Sequence, residues 1–154
     1  MSSDLWSFSL DTYARPGVEA ACLTLQSSGM NVCLLLCGLW LAERGVVCNE
    51  QRLQKLRNVV DPWDAEVVRP LRSLRVQWKT GSTADAELHD LRVQVKTLEM
   101  EAERHLLLRL ERLAQPWPQG EASDGSTWLE GMAAGAANPD HDALLQLRAA
   151  VSGL

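Results

Sequence analysis

Gly29–Gly45, GMNVCLLLCGLWLAERG, decides the fold. From Val32 to Ala42 every residue except Gly38 is apolar, and no polar stripe interrupts the run. A helix that is apolar all round belongs in an interior. Asn31 has the side chain of an N-cap, and Gly45 suits the position just past a helix end. The segment therefore reads as a buried central helix over residues 31–44. The run is too short to cross a bilayer, which takes about 20 residues.

Working outward, helix signals recur with their usual punctuation. On the N-terminal side, Ser3 is placed to cap a helix carrying Leu5, Trp6, Leu10 and Tyr13. Pro16 suits the first position of a second helix, which Ser27-Ser28-Gly29 ends. On the C-terminal side, Asn49 caps a fourth helix with Leu53, Leu56 and Val60 inward. Asp61-Pro62 opens a fifth, with Val67, Leu71, Leu74 and Trp78 within about 60° of one another at 100° per residue. Pro70 falls inside that run, where it removes a donor and crowds a carbonyl, so a kink is expected.

Thr83–Ala114 gives the longest pattern, with Leu88, Leu91, Val95, Leu98, Ala102, Leu106, Leu110 and Leu113 as its stripe. Such a helix is about 46 Å long, and a globule of this size is roughly 40 Å across. It must overhang, bend or meet a second copy. Residues 115–126, QPWPQGEASDGS, read as a Pro/Gly-rich linker. Gly131–Ala137 is weakly patterned, and Asn138-Pro139 caps a last short helix. The expected fold is all-α: a single-domain bundle over residues 1–114 around helix 31–44, with a long helix over 83–114. Residues 127–154 form a C-terminal helical segment packing on the same domain.

Composition narrows the function classes. The chain has 154 residues and a formal charge of -5, which argues against general nucleic-acid binding by its whole surface. No basic, apolar leader is visible in the first 30 residues, and a cytosolic location is expected. The four cysteines (22, 33, 37 and 48) form no C-x-x-C pair and have no His nearby. They read as reduced, mostly buried thiols, and neither a metal nor any other cofactor is expected. No Glu-x-x-His pair, G-x-S-x-G, H-E-x-x-H or phosphate-cradling Gly-rich loop occurs, so no catalytic residues are assigned.

Charge is nevertheless uneven. Residues 52–79 hold seven basic side chains against three acidic ones. Arg69, Arg72, Arg75 and Lys79, next to Trp63, form a strip suited to phosphate or carboxylate. The bland reading is a solvated face, or one neutralised by Glu99, Glu101 and Glu103 of the long helix. Trp6, Trp40 and Trp78 read as core. The candidate partner surface is thus Trp63, Arg69, Arg72, Arg75, Lys79, Glu99, Glu101 and Glu103. The expected function is a non-enzymatic interaction or adaptor protein that self-associates or binds a protein partner. Nucleic-acid or ribonucleoprotein association through the basic face is the alternative, and no membrane association is expected.

LWSFSLDTYARPGVEAACLTLQ, GMNVCLLLCGLWLAERG, PWDAEVVRPLRSLRVQWK and LEMEAERH together resemble a family of short uncharacterised proteobacterial proteins, about 160 residues long. The resemblance runs from residue 5 to 115 and leaves 116–154 unmatched. It implies a small helical cytosolic protein of unknown function. It supplies no catalytic residues.

Overall fold

Ten of the twelve residues of helix α3 (Val32–Glu43) are buried, from Cys33 to Ala42. The Asn31 side chain accepts from Leu34 N–H at its start. At its end Gly45 N–H bonds to Ala42 O and Val46 N–H to Leu41 O. This double closure needs a left-handed residue, and Gly45 has φ 72°. In the computed structural model, which describes residues 4–134 and 140–151, α3 packs against five other helices. These are α1 (Leu5–Tyr13), α2 (Val18–Ser27), α4 (Glu50–Trp63), α6 (Ala86–Ala114) and α7 (Ser126–Ala133). The chain is a single all-α domain, with no strand among the described residues. Helices α5 (Arg69–Gln77) and α8 (His141–Val151) complete it. α8 lies against α2.

Several element boundaries differ from expectation. Asp4, not Ser3, caps α1, accepting from Ser7 N–H at 2.7 Å. Pro16 does not start α2. Gly17, at φ 85°, is its N-cap, in a left-handed backbone conformation that glycine takes more readily than an L side chain. Asp140 accepts from Ala143 N–H at the head of α8, while Asn138 and Pro139 lie outside the described residues. Of Gly131–Ala137, residues 131–133 continue α7.

The largest difference lies at the two prolines. Pro62 opens no helix but sits inside α4. Its ring fixes a helical φ, and it forgoes one hydrogen bond. The path then widens into a π turn, Asp64–Val68, where Arg69 N–H bonds back five residues to Asp64 O, and α5 comes directly after it. The irregularity expected near Pro70 thus takes the form of one extra residue in the turn. That residue rotates the positions of α5 by about 100°. Val68 is buried at 2% exposure in place of Val67, and Leu74 is exposed.

α6 is 29 residues long, capped by Asp85 after a 3₁₀ turn at Gly81–Thr83, hence about 44 Å. Its C-terminal half packs in the core through Ala102, Leu106, Leu107, Leu110 and Ala114. Its first half runs antiparallel to α5, as Arg75 meets Arg92 and Glu99 while Trp63 meets Ala102. The inner stripe there is Leu88, Arg92, Val95 and Glu99. Leu91 and Leu98, expected inside, are 51% and 55% exposed. Polar residues hold the inner positions because α5 satisfies them. Arg92 donates to Arg75 O at 2.8 Å, and Glu99 accepts from two guanidiniums.

Residues 115–125 are docked rather than loose. Gly120 N–H donates to Arg44 O and Ser123 N–H to Ala42 O. α7 then lays Trp128, 1% exposed, across α3, its indole N–H donating to Val46 O at 3.0 Å. Gly38 leaves the room for this crossing, since a Cβ there would meet Met132 and Trp128. Of the tryptophans expected in the core, Trp40 is buried, while Trp6 and Trp78 are half-buried.

Candidate functional site

The π turn forms one wall of a polar cleft. The cleft has a volume of about 310 Å³ and is walled by the end of α2, the α2–α3 turn, the start of α3, α4, the π turn, the start of α5, α6 and α7. Asn31, Asp61, Asp64, Arg69, Arg72 and Glu103 supply most of its polar lining. A continuous α-helix through 64–68 would present a different residue at every later position. The wide turn therefore places Asp64 and Arg72 on the same cleft.

Beside it, α5 and α6 are joined by a three-residue ion cluster. Glu99 is 5% exposed. Its carboxylate accepts from Arg75 Nε at 2.5 Å and Nη2 at 3.3 Å, and from Arg72 Nε at 3.2 Å. Burial pushes this carboxyl up, but the hydrogen bonds and charges of Arg75 and Arg72 outweigh it and hold it below the ordinary range. With its amide oxygen turned inward, Gln26 of α2 also accepts from Arg72, Nη1 at 2.9 Å and Nε at 3.1 Å.

The other candidate residues spread out. Arg69 is largely exposed and pairs with Asp64 at 2.8 Å. Lys79 and Glu101 are exposed, and Glu103 faces the cleft. Trp63 is half-buried. Its N–H donates to Ala102 O at 2.8 Å, and the Arg109 guanidinium covers one ring face at 4.0 Å. The structure thus brings Arg72, Arg75 and Glu99 into contact, sets Glu103 near Arg72, and leaves Trp63, Lys79 and Glu101 apart.

Asn31, Arg57, Asp61 and Asp64 line the cleft without having stood out in the sequence as site residues. The signal the sequence does carry is the pair of prolines eight residues apart around WDAEVVR, which predicts an irregular helix but not its direction.

Cys22, Cys33 and Cys37 are buried and unbridged. Burial pushes their thiols up, that of Cys22 to about 11. Among the described residues no group of three or more His, Cys, Asp or Glu is placed to hold a metal ion, and no helix is long and apolar enough to cross a membrane. No curated protein and no solved structure matches the chain. A family model described as a protein of unknown function (DUF2390) matches residues 4–110, well over half of the chain and nearly the stretch that resembles uncharacterised short proteins, and the chain belongs to that family.

Proposed function

We propose that the protein is a non-enzymatic interaction protein of the cytosol that self-associates through one face of its α5–α6 hairpin. What supports this reading is the exposed apolar flank of that hairpin. Leu74, Leu91 and Leu98 are 37%, 51% and 55% exposed. At 100° per residue they lie on the same side of the antiparallel pair, with half-buried Leu71 and Trp78 between them. Contiguous apolar surface of this kind marks interaction sites. The unbridged thiols suit a reducing compartment.

Charge favours a second copy as the partner. Residues 67–84, which include α5, hold four basic side chains and no acid, while exposed Glu87, Asp90 and Glu101 edge α6. Stacking α5 of one copy over α6 of the other sets unlike charges side by side. The reverse pairing sets like against like. Within one copy Arg72 and Arg75 already share Glu99, so the apolar flank carries the contact and the exposed charges set its register.

Light scattering over a concentration and salt series tests the proposal. Expected are a dimer that salt weakens and a monomer for Leu91→Glu combined with Leu98→Glu. A monomer at every concentration removes self-association. RNA binding whose affinity falls steeply with salt would replace it by the nucleic-acid reading.

A further inference from the structure

We infer that α5 is a detachable strap, and that its docking on α6 through Glu99 controls the self-association face. The control of association rests on the function proposed above. The detachment rests on packing alone.

Among the described residues α5 has no buried side chain, while each of the other α-helices buries at least three. Leu71 and Trp78 are half-buried, and Leu74 and Val76 are exposed. The stretch of α6 that faces the strap, residues 86–101, buries only Val95 and Glu99. The main apolar core has no member between Trp63 and Leu106. Segments with so few buried apolar contacts open on their own, below the free energy of global unfolding.

Polar groups hold the strap instead, and most of them converge on one carboxylate. Arg72 and Arg75 both donate to Glu99, and Arg92 of α6 donates to Arg75 O. Gln26 of α2 accepts from Arg72. Water replaces each of these partners once the strap lifts, so opening strands no buried charge. Both ends are suited to hinge. Pro70, in the first turn of α5, has no N–H to bond back into the π turn. The other end runs into the short turn at Gly81–Thr83.

The apolar flank is shared between the two helices. Leu71, Leu74 and Trp78 come from α5, and Leu91 and Leu98 from α6. A lifted strap takes its share of the flank away, so affinity scales with the docked fraction. Glu99 is buried and lies off the flank. Its effect on association runs through α5, which makes it a positioning residue.

Amide exchange of the full chain at low concentration, with light scattering beside it, tests the inference. Residues 73–77 should exchange about a hundredfold or more faster than residues 36–40 of α3, as expected of a local opening. Glu99→Lys and Arg75→Glu change the net charge in opposite directions, yet each sets like charges between α5 and α6. Both should remove protection at 73–77, leave α3 protected, and weaken self-association about tenfold or more. Arg69→Gln, which breaks only a surface ion pair, should do none of this. Equal exchange of α5 and α3, or global unfolding by both reversals, overturns the detachment whether or not the chain self-associates. An Arg69→Gln effect as large as the reversals also overturns it. Reversals that lift the strap but leave the dimer as tight as wild type overturn the control and leave self-association standing. A wild type that is monomeric at every concentration removes the control together with the proposed function, and the exchange rates still decide the detachment.

Discussion

Gly45→Ala should cost several times as much stability as Gly17→Ala, although both glycines have positive φ. Gly17 has φ 85° and nothing within 4 Å of a Cβ built on it. Alanine there meets only the left-handed backbone penalty, about 1 kcal/mol, offset in part by a stiffer unfolded chain. Gly45 has φ 72°, and a Cβ would overlap the Gly120 carbonyl carbon and oxygen and press on Glu121 N. Those neighbours are backbone atoms and cannot rotate away. The connection must lift, losing Gly120 N–H to Arg44 O at 3.1 Å and Ser123 N–H to Ala42 O at 2.9 Å. At about 1 kcal/mol each, with the backbone penalty added, the total is about 3 kcal/mol. That corresponds to a fall in Tm of about 8 °C for a chain of this length. Urea denaturation of both variants gives the difference. Amide exchange locates it, with faster exchange at residues 116–125 in Gly45→Ala alone. Equal losses in the two variants, within a few tenths of a kcal/mol, would show that the 115–125 connection does not dock on α3.

Leu35 of α3 is 0% exposed, and Leu35→Ala should lose about 2–5 kcal/mol; an unchanged denaturant midpoint would place this face of α3 in solvent. Glu99 and Glu103, one helical turn apart, should respond to pH with opposite sign. The Glu99 carboxyl is lowered in the fold, so its stabilisation is present above the unfolded value near 4.5 and disappears as pH falls through the lower folded value. Glu99→Gln should cost about 2 kcal/mol at neutral pH, less than for a fully buried pair because Arg72 and Arg75 keep about a quarter of their exposure. The Glu103 carboxyl is raised, so the wild-type protein loses stability as pH climbs from 4.5 through the higher folded value. Glu103→Gln should therefore be more stable than wild type at neutral pH and equal to it in acid. Thermal melts across the acid range check both, and a destabilised Glu103→Gln would mean that this carboxylate has a donor.

Residues 31–45 by themselves determined that α3 would be helical, where it would start and stop, and that it would lie inside. Each signal there is local: an unbroken apolar run, an Asn one residue before it and a Gly two residues after its last helical position. Asn49 acted in the same way at α4. The identity of inward residues on α5 and α6 was decided only by tertiary structure. Periodicity assigns apolar side chains to the interior, and by that rule Leu98 outranks Glu99. Glu99 is nevertheless inside, because Arg72 and Arg75, 27 and 24 residues earlier, meet it there. The cleft has the same origin. Its walls come from six helices and the π turn, and Arg72 shares it with Asp64 because Pro62 is absorbed within α4 and the π turn shifts α5 by one position. A proline in sequence shows that a hydrogen bond is missing, but packing against α6 and α3 selects whether the chain breaks, kinks or widens.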